Sequence, residues 1–356
     1  MPILAEDLEK RLDHFYSPLD DWRKWIEIDH LGQRARFDRE GPWIDLENSE
    51  VSRFAEILDK KTPHISLDPG HIGGTWGPME GRSFKVSDGP IFQEGDAVLL
   101  TAQKVQSLLE PYDVRVSLVR DSAEPINSKR PADYMDTALE WATTRWPDLS
   151  PSSQEFNEHV EARANLLFYR SDEIRARSLI VNDDLRPDLV VCLHINASGW
   201  EDPAKPSLTT EHNLHILVHG NYTPGELSSL ESRQELAQKI AHSTYPLERQ
   251  ASEVFLKVFR QTTGLPPYTY KRNNALKIDE DGYLWARNLA ANRLYRPPVV
   301  FLEPYVANSE EGYARIAAGE YSGRKEVAGK MRLSLTEEYA RATASSLIEL
   351  LELQPK

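Results

Sequence analysis

The sequence has few of the residues that would indicate a disulfide-stabilised, membrane or nucleic-acid-binding protein. Cys192 is the single cysteine among 356 residues, which excludes an intramolecular disulfide and leaves the redox compartment open. No apolar run reaches the ~20 residues needed to cross a bilayer, so no membrane span is predicted. With 42 Lys and Arg against 56 Asp and Glu, the formal net charge of -14 argues against a nucleic-acid surface.

Short apolar segments alternate with helical patterns along most of the chain. An amphipathic helix is predicted to begin at Glu94. Strands are predicted at 65–68, 114–119, 189–195, 214–218 and 299–303, with Cys192 as a buried strand residue. This alternation is typical of the α/β class. We predict a central, mostly parallel twisted sheet flanked by helices, with long helical insertions and an N-terminal extension.

Four of these segments carry residue types that suit a metal-dependent hydrolase. The segment Ile65-Ser-Leu-Asp-Pro-Gly-His71-Ile-Gly-Gly ends an apolar run by placing an imidazole on a glycine-rich loop. Glu94 opens the helix, His194 follows an apolar strand and Glu303 ends another. Because sites in open α/β sheets form beyond the carboxyl ends of the strands, these side chains are expected to converge. Two histidines and two glutamates suggest a zinc hydrolase.

Each of these residues also has an ordinary structural explanation. His194 suits a hydrogen-bonded histidine at the end of a core strand. Glu94 suits a helix-start carboxylate that interacts with the helix dipole, and Glu303 suits an exposed residue after a strand. The joint occurrence of the four residues favours a functional site.

The order and surroundings of the four segments resemble the zinc-dependent N-acetylmuramoyl-L-alanine amidases, whose catalytic domain opens on an Asp-Pro-Gly-His motif. The resemblance runs from about Pro63 to Leu351. It implies one Zn²⁺ per chain, held by His71, Glu94 and His194, with Glu303 as the catalytic residue. The implied substrate is peptidoglycan or a muropeptide, cut at the amide between the lactyl group of N-acetylmuramic acid and L-alanine.

The chemistry of such a centre is consistent with the resemblance. A hydrolytic zinc takes three protein ligands and keeps a position for water, whose pKa falls toward ~7. A nearby carboxylate can act as general base and then pass its proton to the departing nitrogen. Glu303 would do both.

The sequence departs from the family pattern at three places. Ile72 stands between the histidine and the glycine pair, where the family usually continues directly into glycine. Pro304-Tyr305 follows the catalytic glutamate, where an apolar residue, a glycine and an aromatic are common. An arginine and asparagine pair usually precedes the second histidine strand; Arg177 and Asn182 are imperfectly spaced for it, and we assign them no role.

A second histidine pair, His215-Ile-Leu-Val-His219, has the spacing of a helical zinc site. The intervening residues are strand formers, and a strand separates residues four apart by ~13 Å. We therefore exclude this pair.

The resemblance implies one elaborated catalytic domain over 63–353, preceded by an extension or strap over 1–62. Insertions are predicted at about 121–186 and 221–296. The first is expected to be helical over 132–146 and 154–179, and to form either a lid or substrate wall or a layer packed on the scaffold.

Further segments have simpler expectations. Helices are predicted at 236–240 and 251–259, separated around Pro246, and an amphipathic helix at 335–351 is expected to cover the sheet. Solvated loops are predicted around 271–274 and 283–285, with contact to a glycan or an acidic peptide as the alternative. The N-terminal extension is predicted to contain helices at 4–15 and 51–58 and a hairpin within 25–37.

Two alternative functions remain open from the sequence. The chain could be a zinc amidohydrolase or peptidase acting on another amide, or a non-catalytic peptidoglycan-binding or regulatory module. The family implies a periplasmic or extracellular location, whereas Met1-Pro-Ile-Leu-Ala-Glu is not a secretory signal, which leaves a cytoplasmic role as the alternative. A regulatory protein partner cannot be identified from the sequence.

Overall fold

The computed structural model describes residues 4–46, 57, 60–202 and 204–356. Strands and helices alternate along the chain, as predicted for the α/β class. The strands are β1 Glu27–Asp29, β2 Arg34–Arg36, β3 Ile44–Asp45, β4 His64–Pro69, β5 Ser83–Phe84, β6 Phe92–Gln93, β7 Arg115–Leu118, β8 Leu189–Leu193, β9 Leu214–Val218, β10 Leu276–Lys277, β11 Leu284–Ala286, β12 Val299–Pro304, β13 Lys325–Val327 and β14 Lys330–Arg332.

The helices fall mainly between the strands of the largest sheet and after it. They are α1 Ala5–Arg11, α2 Glu94–Leu109, α3 Met135–Arg145, α4 Gln154–Leu166, α5 Glu173–Leu179, α6 Leu230–Ala241, α7 Thr244–Thr263, α8 Ala290–Leu294, α9 Glu310–Ala318 and α10 Leu335–Leu350. Two π-helical segments, Leu167–Asp172 and Ile180–Leu185, follow α4 and α5. A helix long and apolar enough to cross a membrane is not found among the described residues.

The central sheet has seven strands in the order β10-β11-β9-β12-β8-β4-β7. Four neighbouring pairs are parallel, namely β11-β9, β12-β8, β8-β4 and β4-β7, whereas β12-β9 and β10-β11 are antiparallel. The predicted fold class, a mostly parallel sheet flanked by helices, is confirmed. The predicted strands and the helix at Glu94 are found within two residues of their expected bounds.

Both faces of the sheet are covered, which explains the continuous apolar sequence of its central strands. In β8, Leu189, Val191 and Leu193 pack into one core cluster, whereas Val190 and Cys192 pack into a second cluster on the other face. Helices α2, α7 and α10 supply buried residues to the first cluster. Cys192 is a buried strand residue, as predicted.

The two predicted insertions differ in how they join the sheet. The first is helical, as predicted, and α3 and α4 form an apolar cluster of their own that also takes in Ile72. The second contributes strands β10 and β11 to the sheet. The expectation of a solvated loop at 283–285 is wrong, because Tyr283 and Trp285 are buried and the intervening backbone pairs with β9.

The expected break around Pro246 is also wrong. Helix α6 ends at Ala241 and α7 begins at Thr244, so Pro246 lies in the first turn of α7. A proline is tolerated there because the first amides of a helix have no intrahelical acceptor.

The N-terminal segment lies against the second insertion. The side chains of Leu8, Leu12 and Phe15 join Val218 and Leu236 in one apolar cluster. The predicted helix and hairpin are present as α1 and the β1-β2 pair. The helix predicted at 51–58 lies outside the described residues except for Ile57.

Candidate metal centre

The three strands that carry the predicted site are neighbours in the sheet and end together. In the parallel register, Pro69 of β4 lies beside Leu193 of β8, and Leu193 lies beside Leu302 of β12. The amide of His194 donates to the carbonyl of Leu302 over 3.1 Å, which holds these strand ends in line. His194 and Glu303 therefore each follow a residue of the Leu193–Leu302 pair. The loop that bears His71 begins after Pro69, which is paired with Leu193.

The loop after β4 has an unusual backbone. His71 has φ of 59°, and Gly73 and Gly74 have φ of 87° and 53°. Glycine adopts this left-handed region freely, but for histidine it costs about 1–3 kcal/mol. The surrounding contacts must therefore hold His71 in place.

Arg177 supplies much of that support. It is buried on α5, and its guanidinium donates to the carbonyls of Pro69 and His71 over 2.8 and 2.6 Å. It also pairs with the carboxylates of Asp68 at 3.0 Å and Glu173 at 2.8 Å. The sequence analysis assigned Arg177 no role, but in the structure it links the first insertion to the loop. Asn182 instead bridges the backbone of Leu294 and Arg296.

Glu94 lies at the first position of α2 and points toward both histidines. Its Oε2 lies 3.4 Å from Nε2 of His71, and its Oε1 lies 3.2 Å from Nδ1 of His194. The amide of Ile195 donates to Oε1 over 3.0 Å. These contacts, in addition to the helix dipole, explain a buried carboxylate at this position.

His71, Glu94 and His194 form a group that can hold a metal ion, with one ligand atom from each lying within 4.8 Å of the others. In a tetrahedral zinc site with ligands at 2.0–2.1 Å, donor atoms are separated by about 3.3 Å. The 3.4 Å between His71 and Glu94 matches that spacing. Two imidazoles and one carboxylate are a donor set found in hydrolytic zinc sites, so the residues fit this metal.

The electrostatics of the group favour a deprotonated glutamate. Burial alone would raise the pKa of Glu94, but the neighbouring His71 and the hydrogen bond with His194 lower it to about 2. Burial outweighs the nearby carboxylates at His71 and lowers its pKa. At His194, burial would also lower the pKa, but the hydrogen bond with Glu94 and the charge of Glu303 raise it.

Glu303 lies near the end of β12, close to His194 and Glu94. Burial, opposed by His194 and reinforced by the like charge of Glu94, raises the pKa of Glu303 to about 7. Phe301 is stacked on the ring of His194, with centroids 4.4 Å apart. The centre therefore combines an ionised carboxylate, Glu94, with one that titrates near neutrality.

Glu80 is a contributor that the sequence analysis missed. Its Oε1 lies 3.5 Å from Nδ1 of His71, on the side of the ring away from Glu94, and its Oε2 accepts from the amide of Ile72 over 2.8 Å. Metal-binding histidines usually donate their second ring N–H to such a group. No local pattern identifies Glu80, because the eight residues between it and His71 are loop and a single short 3₁₀ turn, which have no side-chain periodicity.

Gly70 allows the close approach of the two histidine segments. A Cβ atom at this position would lie 2.2 Å from Cε1 of His194. The Gly of the Asp-Pro-Gly-His motif is thus required by the neighbouring strand.

The four predicted residues open into one cavity of about 800 Å³. One part of its wall comes from the first insertion, including Arg163, Tyr169 and Arg170, and another from the segment after β11, including Arg287 and Asn288. This volume lies in the range typical of sites for small ligands.

The excluded histidine pair is located as expected. His215 lies on β9 and His219 directly follows that strand, and both are buried. His215 contacts the hydroxyl of Tyr270 at 3.2 Å, and His219 contacts that of Tyr222 at 3.0 Å.

Comparison with known proteins gave matches only at the level of three-dimensional structure. No family model matches the sequence, and no curated protein matches it significantly. The chain is similar to the catalytic domain of an N-acetylmuramoyl-L-alanine amidase from Bacillus (Paenibacillus) polymyxa, at 14% identity and a TM-score of 0.43, over 82% of this chain and 100% of the other.

Two further matches have the same character. The CwlD amidase of Clostridioides difficile, solved in complex with the GerS lipoprotein, matches at 14% identity and a TM-score of 0.43, over 82% of this chain and 99% of the other. The Ami1 amidase of Mycobacterium smegmatis matches at 18% identity and a TM-score of 0.41, over 83% of this chain and 99% of the other. Similarity this distant does not establish a shared activity.

Proposed function

We propose that this protein is a zinc-dependent N-acetylmuramoyl-L-alanine amidase. The supporting observation is the placement of Glu303, with its raised pKa, beside the group of His71, Glu94 and His194 in a cavity large enough for a substrate. The resemblance of the motifs that carry these residues supports the choice of amide. The bond cleaved would join the lactyl group of N-acetylmuramic acid to L-alanine of the stem peptide.

In this proposal each residue has a defined role. His71, Glu94 and His194 hold one Zn²⁺, which when bound supplies Lewis acidity toward water and the amide carbonyl. Glu303 accepts a proton from the attacking water and delivers it to the departing amide nitrogen. Glu80 and Arg177 position the His71 loop without touching the substrate.

The remaining expectations are proposals of the same kind. In this proposal residues 63–353 are the catalytic domain, with insertions at about 121–186 and 221–296, and residues 1–62 are an N-terminal extension or strap. We place the protein in the periplasm or outside the cell, because peptidoglycan is found there, with muropeptide recycling in the cytoplasm as the alternative. A regulatory partner is compatible with the proposal but is not identified.

The test is mass spectrometry of peptidoglycan and of soluble muropeptides digested by the zinc-loaded protein. We expect free stem peptides that begin at L-alanine, and none after chelation of the metal. Peptides cut at another bond would indicate an amidohydrolase or peptidase of different specificity. Binding to peptidoglycan without any product would indicate a non-catalytic module.

Three variants separate the proposed roles. Glu303→Gln should retain zinc and lose turnover by roughly 10²–10⁴-fold, the usual contribution of a general base. His71→Ala and His194→Ala should lose both zinc and turnover. Zinc content is measured by elemental mass spectrometry, and full activity in Glu303→Gln would disprove its assignment.

A further inference from the structure

Three arginine side chains on the wall of the cavity at the metal centre form no salt bridge with a carboxylate of the described residues. The acidic groups on its wall are already engaged. Glu80 and Glu94 contact the histidines, and Asp68 and Glu173 are paired with Arg177. Glu226 accepts from the amide of Thr223 over 2.6 Å. Glu303 is the proposed catalytic residue.

Some of the arginines on the wall are also paired. Arg175 contacts Glu231 and Arg293 contacts Glu235, each at 2.6 Å. Arg82 lies 3.9 Å from Glu94. These three have a carboxylate partner before any ligand binds.

The other three arginines have none among the described residues. Arg163 lies over the ring of Trp141, and its Nε is buried without a hydrogen-bond partner. Arg170 is exposed on the segment between α4 and α5. Arg287 follows β11 and donates to the hydroxyl of Tyr270 over 3.5 Å, near enough to Glu303 to lower the pKa of that carboxyl.

The lining of the cavity has seven arginines and six carboxylates, whereas the chain as a whole has a formal charge of -14. Unpaired guanidinium groups in a concave site are ready partners for carboxylates, which they bind with two parallel hydrogen bonds. The cavity volume of about 800 Å³ lies within the range of sites that bind small molecules.

We propose that Arg163, Arg170 and Arg287 bind the carboxylates of the peptide part of a small, soluble muropeptide. This inference rests on the proposed function, because it names the substrate class of the same site. The two predicted insertions supply all three arginines, so these segments determine specificity. The enzyme acts on released wall fragments in preference to intact peptidoglycan.

The test measures binding apart from turnover. The zinc-loaded Glu303→Gln protein is titrated by calorimetry with N-acetylmuramoyl-L-alanyl-D-glutamate and with its analogue in which both carboxylates are amides. The dicarboxylate should bind at least about tenfold more tightly than the diamide, since charged hydrogen bonds are roughly twice as strong as neutral ones. Equal affinities, or no binding of either, would overturn the inference.

Single substitutions on that background locate the effect. Arg170→Gln and Arg287→Gln should each weaken binding of the dicarboxylate about tenfold and weaken binding of the diamide much less, because the diamide makes only neutral-acceptor hydrogen bonds with these arginines. Arg145→Gln is the matched control for Arg170→Gln. Arg145 is exposed on the same insertion as Arg170, 121–186, and does not line the cavity. Unaltered dicarboxylate affinity in both cavity variants would overturn the assignment.

Turnover of the unsubstituted enzyme tests the size preference and keeps the two proposals distinguishable. At matched concentrations of the amide bond, the soluble dicarboxylate should be cut at least about tenfold faster than purified sacculi. Faster cleavage of sacculi would overturn the inference and leave the amidase proposal standing. Selective binding of the dicarboxylate without cleavage of either substrate would instead reject the amidase proposal.

Discussion

At the scale of single residues, two carboxylates of the centre, Glu94 and Glu303, have opposite acid–base behaviour. Burial disfavours the charged form of both Glu94 and Glu303. At Glu94 two imidazoles outweigh that effect, whereas at Glu303 the like charge of Glu94 adds to it. Divergent pKa values in neighbouring carboxylates are typical of sites where the two groups have different roles in proton transfer.

The raised pKa of Glu303 predicts how activity depends on pH. The residue accepts a proton only as the carboxylate, so activity should fall as the pH is lowered through its pKa. That pKa is about 7 without a cation nearby, and a bound divalent cation would lower it. The acid limb of kcat/KM should therefore have its midpoint at or below pH 7. Activity that rises as the pH falls below 6 would contradict this role.

Glu80 should affect zinc affinity without taking part in the reaction. Glu80→Gln removes the charge beside Nδ1 of His71 and should weaken zinc binding roughly 10–100-fold, as for other outer partners of ligating histidines. Competition with a chromogenic chelator measures the change. The kcat of fully zinc-loaded protein should change far less, and normal zinc affinity would show that Glu80 does not orient His71.

At the scale of elements, the loop after β4 is held by parts of the chain distant in sequence. Arg177 comes from α5, and Arg120 donates to the carbonyls of Gly70 and Gly95 over 3.3 and 2.9 Å. Ile72, which stands between His71 and the glycine pair, is completely buried in the apolar cluster of α3 and α4. Its side chain therefore packs the proposed zinc-binding loop against the first insertion.

Gly70→Ala tests the close packing of the β4 and β8 ends. The new methyl group would overlap the ring of His194 and should displace it, with a loss of zinc affinity of at least roughly tenfold. Gly199→Ala is the control, since a Cβ there meets nothing within 4 Å. Zinc titration with circular dichroism separates loss of the site from unfolding, and equal affinity in the two variants would refute the steric argument.

Arg177→Met tests the anchoring of the loop by α5. The change leaves Asp68 and Glu173 buried without their cation, which should lower the free energy of unfolding by about 3–5 kcal/mol. Arg175→Met, two residues away, breaks only the partly exposed pair with Glu231 and should cost at most about 1 kcal/mol. Chemical denaturation measures both, and similar values for the two variants would contradict the anchoring role.

At the scale of the whole molecule, the N-terminal segment shares its apolar cluster with the second insertion. The amides of Asn221 and Tyr222 donate to the carbonyls of Phe15 and Tyr16 over 2.9 and 2.6 Å. Arg233 of α6 donates to the carbonyl of Phe37 over 2.7 Å. These contacts join the segment to the residues after β9 and to α6.

Leu8→Ala tests whether this segment contributes to global stability. Leu8 is fully buried in the shared cluster, so its truncation should cost about 2–5 kcal/mol in the free energy of unfolding. Leu31→Ala is the control, because Leu31 is 100% exposed and its truncation should change stability by less than about 0.5 kcal/mol. A separate early transition in denaturation, with the main one unchanged, would show that the segment folds on its own.

Local sequence determined the strand-end motifs of the centre and most of the sheet. Apolar runs as short as five residues predicted β8 and β9, because buried parallel strands need little else. The helix at Glu94 followed from its periodicity. The Asp-Pro-Gly-His segment indicated a histidine-bearing loop because glycine and proline restrict the backbone in recognisable ways.

Only the tertiary structure decided what surrounds these residues. The contacts of Glu80, Arg177 and Arg287 join segments with no common periodicity, so no local pattern predicts them. The same holds for Trp285. Its aromatic-rich segment was predicted to be a loop, but in the structure this segment pairs with β9 and Trp285 is buried. Propensity acts over a few neighbouring residues, whereas the pKa of Glu303 and the charge of the cavity depend on atoms that folding alone brings together.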